Sequence, residues 1–518
     1  MTLTASRRRD LIFFILAAIL VTVYALAAHF RAGLGFPLDD SWIHQTYGRN
    51  LALTGEWSFT PGIPSAGSTS PLYTVLLAGG YVLRLPYMLW AMVLGAVFLA
   101  LGGMWGARTA ERLFPDLRGV GWWAGLAVVF AWHDIWAAAS GMETMLFGAL
   151  CLGVIYQALQ GLAPNAAMGK QAREGALFGL LSALLIAARP EGTLLIALAG
   201  TAALIAAAGV DRQLAGAWLV GSLIGGGLAL SPYLLLNFSL NGSPLPNTFS
   251  AKQAQNVPLL SLGLGHNLGA MLEPLAAGGQ LALIPGVVVA VAALCRSRRV
   301  TIPLRLLPLL WSAALILLFA LRLPAPYQHG RYVMPALPSF LIVGTAGTLM
   351  IAQWGRNRRR SPAARILTRS LILTVILIFP VFALIGASIF ALDVSLINSD
   401  MRVAAEWVNQ NIPPEQLLAI HDIGAVGFFA NSPDRPRQLL DIAGLISPEV
   451  IPLFHDPPAM LSLMRQREVR WLMVLPTQWL DLWNGQPEVW GGNFCLRFDA
   501  GGGMGGMRVY QFQTTGCP

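Results

Sequence analysis

The feature that most constrains this chain is a succession of long, uncharged apolar runs recurring from Leu11 to Leu392. A run of about 20 apolar residues is what a helix needs to cross the hydrocarbon core of a bilayer, and Leu11 to Phe30 is twenty residues long. Composition agrees: 55% of the chain is hydrophobic and 11% charged, against roughly 25% charged in an ordinary soluble domain. No soluble core hides that much apolar surface, so the chain reads as a polytopic helical membrane protein. Only the stretch beyond Asp393 is water-compatible. The predicted organisation is a membrane domain over 1–392, with a large first outer loop at 31–87, and a small α/β domain over 393–518.

Spans are predicted near 11–30, 88–107, 120–137, 143–160, 175–188, 191–209, 214–236, 276–295, 303–321, 334–353 and 367–392, about eleven transmembrane helices. The first, after Arg7-Arg8-Arg9, reads as an uncleaved anchor rather than a signal peptide because it is as long as a full span. The net charge of +9 does not point to nucleic acid, because 19 of the 34 Lys and Arg fall in the N-terminus and alternate connections. The opposite short loops carry only seven. Basic residues hold loops in the cytoplasm. The N-terminus is therefore expected in the cytoplasm of a plasma-membrane protein, and an odd number of spans exports the tail. Of four cysteines, Cys495 and Cys517 lie in the tail, where a disulfide and two free thiols are equal alternatives.

The first outer loop gathers chemistry. Leu38-Asp39-Asp40-Ser41-Trp42-Ile43-His44 precedes Tyr47-Gly48-Arg49-Asn50 and a turn-rich stretch, then a helical segment over 71–85 expected to lie along the interface. Adjacent carboxylates at a partly dry surface raise each other's pKa, which suits a general base or a metal ligand. The plainer reading has Asp39 cap the helix beginning near Asp40. His44 stands one turn after Asp40, so Asp39, Asp40 and His44 form the candidate set should a divalent cation be present.

These residues, with others in the same order down the chain, resemble the GT-C membrane glycosyltransferases that use polyprenyl-phosphate sugars, and most closely a bacterial branch related to mycobacterial terminal arabinofuranosyltransferases. The matching strings are Asp39-Asp40-Ser41-Trp42-Ile43, Tyr47-Gly48-Arg49-Asn50-Leu51, Phe59-Thr60-Pro61-Gly62 and Gly67-Ser68-Thr69-Ser70-Pro71-Leu72. Further along come Ser140-Gly141-Met142-Glu143-Thr144, Arg189-Pro190-Glu191-Gly192, Pro246-Asn247-Thr248-Phe249 with Lys252, and Arg331-Tyr332. Asp422-Ile423-Gly424-Ala425 and Leu440 to Leu445 complete the series in the tail. Thr46 stands where the pattern has Arg, Trp42 where it has Tyr, and Thr60 where it has Asn.

The resemblance implies an inverting transfer from a polyprenyl-phosphate donor to an extracytoplasmic glycan, lipid or protein acceptor. One Asp of the Asp39-Asp40 pair would be the base. Lys252 and Arg331, with Tyr332, are the phosphate-binding candidates; Arg and Lys both suit phosphate oxygens. Arg189 is expected either to join them or to brace its hairpin by pairing with Glu191. Glu143 either binds acceptor or serves the start of its helix, and Arg49 and His44 complete the binding set. The competing function is a transporter or flippase of lipid-linked sugars. That class predicts internal repeats and mid-membrane charges, whereas the ionisable residues here sit at span ends.

Overall fold

The computed structural model describes residues 5–160, 167–243, 248–296, 301–357, 361–476 and 494–513. Apolar sequence runs become helices in chain order: α1 (Ala5–Ala32), α2 (Asp40–Thr54), α3 (Pro71–Val82), α4 (Tyr87–Leu113), α5 (Val120–Phe130), α6 (Trp132–Ala139), α7 (Thr144–Gln160) and α8 (Met168–Ala188). There follow α9 (Gly192–Ala208), α10 (Arg212–Asn241), α11 (Thr248–Gln255), α12 (Val257–Leu260), α13 (Leu264–Ala276), α14 (Ile284–Leu294), α15 (Ile302–Arg305) and α16 (Leu307–Arg322). The last are α17 (Tyr327–Gly330), α18 (Leu337–Asn357), α19 (Pro362–Ile397), α20 (Val403–Asn411), α21 (Ile423–Phe429) and α22 (Pro457–Gln466).

Among the described residues six helices are long and apolar enough to cross a membrane, or seven if α13 and α14, bent by 88°, count as one span. Four expected spans, α5, α7, α9 and α16, are shorter apolar helices. The outward side chains of the long helices stay apolar, as at Leu223, Leu228, Leu367 and Leu384. That is the surface a bilayer solvates, since lipid rather than water surrounds it.

The long last helix connects the two regions. α19 runs on through a π turn at Asn398–Arg402 into α20, so the membrane bundle and the tail share one rod. The tail sheet has order β4-β3-β5-β7-β6, with β3 (Leu418–Ile420), β4 (Leu439–Asp441), β5 (Trp471–Val474), β6 (Phe494–Asp499) and β7 (Arg508–Phe512). β3 pairs in parallel with β4 and β5, while β7 is antiparallel to β5 and β6. The small hairpin β1 (Ser58–Thr60) and β2 (Ile63–Pro64) lies in the first outer loop. The alternating pattern of the tail predicts strands near 416–421, 437–441, 470–476, 494–499 and 507–512, and all five are present within a residue or two. The run Gly501 to Gly506, whose composition predicts a flexible hairpin loop, does join the antiparallel β6 and β7, and it is fastened there: Met504 and Gly506 amides donate to the buried Asp400 carboxylate at 3.2 and 3.1 Å. Pro246, Asn247 and the Cys495–Cys517 pairing lie outside the described residues, the last because Cys517 does.

Candidate active site

The adjacent acids at the start of α2 point to different partners. Asp40, the first residue of α2, faces Lys252 of α11, whose Nζ lies 3.3 Å from its Oδ2, and Arg331, whose Nη2 donates to the same oxygen. Tyr332 closes the group, its hydroxyl accepting from Lys252 at 3.2 Å and from Arg331 at 3.1 Å. Burial by itself raises Asp40's carboxyl, but Lys252 and Arg331 outweigh it and hold the group well below the usual carboxylate range. A small cleft lined by Asp40, His44, Thr69, Lys252 and Leu445 opens here, where the first loop, α11 and the tail meet.

Asp39 does not cap its own helix with its side chain, contrary to the local reading. It reaches across to the tail, where its two oxygens accept the Gly424 and Ala425 amides at 2.6 and 2.8 Å. Those are N–H groups of the first turn of α21, the job an N-cap side chain ordinarily does. Asp422, the residue at that cap position, makes no side-chain cap bond and lies 3.4 Å from His421 Nδ1 instead. Gly424 permits the approach: a Cβ there would sit 2.0 Å from the Asp39 carbonyl oxygen. Burial, followed by repulsion from Asp422, pushes Asp39 up to about 8 in spite of the two amides.

Arg49, expected in the substrate set, serves the other end of α21. It donates to the carbonyls of Phe428 at 2.7 Å and Gly427 at 3.1 Å, and to Asn431, neutralising the helix C-terminus. α2 therefore grips α21 at both ends, acid on the N-terminus and base on the C-terminus.

A second charge group abuts Tyr332. Arg189 pairs with Glu191 at 2.9 Å, as the hairpin-bracing reading expects, and also with Glu143 at 3.1 Å. Glu143 in turn lies 3.1 Å from His44 Nε2, and His44 Nδ1 is 3.4 Å from Thr74. The guanidinium carbons of Arg331 and Arg189 and the Lys252 nitrogen stand 5.0, 5.3 and 5.6 Å from the centre of the Tyr332 ring, within cation–π range. His44 and Asp40 share a face of α2, but the histidine is turned to Glu143. The donor set does not fit a resident divalent cation: Asp40 is matched by two cations, Asp39 by two amides and His44 by Glu143. Among the described residues no three His, Cys, Asp or Glu stand together as ligands.

Sequence reasoning missed the device beneath Arg331. Gln328 and His329 both adopt positive φ, 57° and 58°, which non-glycine residues rarely do. His329 Nε2 lies 2.8 Å from Asp393 Oδ2, which also accepts from Trp136 Nε1 at 2.9 Å. The strained turn is thus tied to α19 and α6, and it delivers Arg331 with only 2% of its surface exposed. Two of its nitrogens, Nε and Nη1, are buried without a hydrogen-bond partner among the described residues.

A family model described as a domain of unknown function (DUF8728) matches residues 395–510. No curated protein matches the chain by sequence. Among solved structures the chain is similar to ArnT from Cupriavidus metallidurans bound to undecaprenyl phosphate, at 14% identity and a TM-score of 0.59, covering 97% of this chain and 98% of that one. It is also similar to the Archaeoglobus fulgidus oligosaccharyltransferase in the apo form, at 10% identity and a TM-score of 0.65, covering 98% and 75%. The archaeal oligosaccharyltransferase AglB in complex with an inhibitory peptide and a dolichol-phosphate matches at 11% identity and a TM-score of 0.63, with 98% and 75% covered. These neighbours are GT-C glycosyltransferases, and the fold of this chain is the GT-C fold.

Proposed function

We propose that the chain is an inverting glycosyltransferase that moves a sugar from a polyprenyl-phosphate donor to an extracytoplasmic glycan, lipid or protein acceptor. The observation that carries this reading is the Asp40–Lys252–Arg331–Tyr332 group, in which one carboxylate answers two cations and two buried donors of Arg331 have no partner among the described residues. Such a group holds one net positive charge and vacant N–H valences, which a phosphate fills. The donor-phosphate reading of the GT-C neighbours, whose ligands include undecaprenyl phosphate and dolichol-phosphate, supports the same assignment.

On this reading Asp40 is the base and Asp39 positions it. In the empty site Lys252 and Arg331 keep Asp40 a weak base. A donor phosphate shares those cations, so the Asp40 carboxylate gains basicity when the donor arrives. It then takes the proton of the acceptor hydroxyl as that oxygen attacks the anomeric carbon. The bond to the phosphate breaks from the opposite face, Lys252 and Arg331 hold the departing phosphate, and the anomeric configuration inverts. Glu143, Arg189 and His44 form the wall that orients the acceptor.

The topology belongs to the same proposal. It takes the four shorter apolar helices and the bent pair as crossings too, eleven in all, an odd number that sets the termini on opposite sides; the basic connections on the cytoplasmic side then give a cytoplasmic N-terminus, a membrane domain over 1–392 and an external α/β domain over 393–518. The test is transfer in vitro from a panel of polyprenyl-phosphate sugars. Asp40→Asn is expected to lower kcat by about 10²-fold or more, and Lys252→Met and Arg331→Met to raise the donor KM. Full activity in Asp40→Asn, or lipid-linked sugar crossing proteoliposomes with no acceptor present, sinks the reading.

A further inference from the structure

A second cavity shares no lining residue with the cleft at Asp40. It is a groove of about 480 Å³ between α18 and α19, at the end of the bundle where these helices are joined by the basic connection. Arg356, Arg365 and Arg369 line its mouth. All three are exposed, and no ion pair or side-chain hydrogen bond engages their guanidinium groups among the described residues. Three cations thus share one opening with no ion-pair partner among the described residues.

From the mouth the groove continues as an apolar slot of about 170 Å³ that shares Trp123, Thr345, Val375 and Ile376 with it and ends at Phe130 and Phe379. Arg365 to Phe379 is fourteen helical residues, so mouth and slot together extend about 21 Å along α19. Half the hydrocarbon thickness of a bilayer is about 15 Å. The mouth is fixed rather than splayed, because α18 and α19 touch there: a Cβ at Gly355 would lie 2.3 Å from Thr368 Oγ1.

A cationic opening that leads into an apolar slot one leaflet deep matches one chemistry, a negatively charged head group carrying an alkyl chain. We infer that the α18–α19 groove is a binding site for an anionic phospholipid of the leaflet on the side of the basic connections. Arginines that merely snorkel from helix ends need no groove beneath them. A free phosphate needs no slot, and a zwitterionic lipid gains nothing from three unpaired guanidiniums. The two features together select the anionic lipid.

Native mass spectrometry of the full chain released from detergent, titrated with phosphatidylglycerol or with phosphatidylcholine of the same acyl chains, tests this. One phosphatidylglycerol is expected to bind at least about tenfold more tightly than phosphatidylcholine, given three arginines at the head group. The triple variant Arg356→Gln, Arg365→Gln, Arg369→Gln should bring phosphatidylglycerol down to the phosphatidylcholine level, with the unfolding temperature of the lipid-free protein unchanged. Ile376→Trp, at an exposed position lining both parts, fills the slot while keeping the arginines, and should weaken both lipids. It decides the matter if the triple variant does not fold. Equal binding of the two lipids by the wild type, undiminished phosphatidylglycerol binding by a folded triple variant or by Ile376→Trp, or displacement of the lipid by an equal concentration of inorganic phosphate each overturns the inference.

Discussion

The grip of α2 on α21 gives the most direct physical test of this architecture. In Asp39→Ala the Gly424 and Ala425 amides lose the only acceptor they have among the described residues, at a place where Asp39 is itself 7% exposed. A buried donor left without a partner costs about 1–3 kcal/mol, so the pair is worth about 2–6 kcal/mol. Taking about 3 kcal/mol, local opening of α21 becomes on the order of 10²-fold more frequent, since each 1.4 kcal/mol is tenfold. Arg49→Met keeps an unbranched aliphatic chain but removes the guanidinium that lies over the Phe428 ring and donates to three backbone carbonyls, an effect of similar size. Both variants release one short helix, so their costs should fall short of additive by at least about 1 kcal/mol in a double-mutant cycle. Hydrogen exchange read by mass spectrometry on peptides covering 423–431, in the full detergent-solubilised chain, measures the opening. Exchange within about threefold of wild type in Asp39→Ala, or a rise spread evenly over the tail sheet, refutes the grip.

Two further outcomes follow from the same geometry. Asp39 in the folded chain titrates at about 8, above the ordinary value of about 3.9 for an aspartate. A raised carboxyl contributes stability that is complete below the ordinary value and lost as pH rises through the folded one, so docking of α21 should weaken from pH 5 to pH 9. Asp422→Asn removes a repelling charge and should flatten that profile; an unchanged slope refutes the cause. His329→Ala frees the strained turn before Arg331 and should raise the donor KM by about 10- to 100-fold, because small misplacements of a binding group are costly. His329→Asn tolerates positive φ but is too short to replace Nε2 at Asp393, so it should recover only the part of the loss that comes from backbone strain. Equal KM in the alanine variant and wild type argues against a positioning role.

How much of this was legible in the sequence depended on whether the relevant contact was local. Hydropathy gave the long apolar helices in their order, though it read α5 and α6 as one span and passed over α13, and alternation gave the tail strands, because both are properties of neighbouring residues. The short strings that resemble the GT-C enzymes meet in space: Asp40, Lys252, Arg331 and Tyr332 touch directly, with Arg189, Glu143 and His44 behind them. What escaped was partnership across the chain. Asp39 reads as a local cap because a cap signal says nothing of a Gly424 amide 385 residues away. Arg49 reads as a ligand contact for the same reason, since three distant carbonyls are invisible beside it. His44 and Asp40 share one helical face as their spacing predicts, yet Glu143, distant in sequence, sets the direction of the histidine. The left-handed turn at Gln328 and His329 carries no compositional mark, since neither residue is a glycine.

The adjacency of Asp39 and Asp40 then acquires a physical purpose. Two carboxylates side by side ordinarily repel, and here one is satisfied by backbone amides of the tail and the other by two side-chain cations from the membrane bundle. The first turn of α2 is thereby fixed from both sides, and the Asp40 carboxylate sits where the tail and the bundle meet. Undocking the tail must shift Asp40 relative to Lys252 and Arg331. The two acids are consequently separable by experiment: Asp40→Asn should abolish transfer while α21 stays protected from exchange, whereas Asp39→Ala should expose α21 and lower transfer together. Loss of transfer in Asp39→Ala with α21 still protected would instead make Asp39 the group that acts on the substrate, and would reverse the roles assigned to the pair.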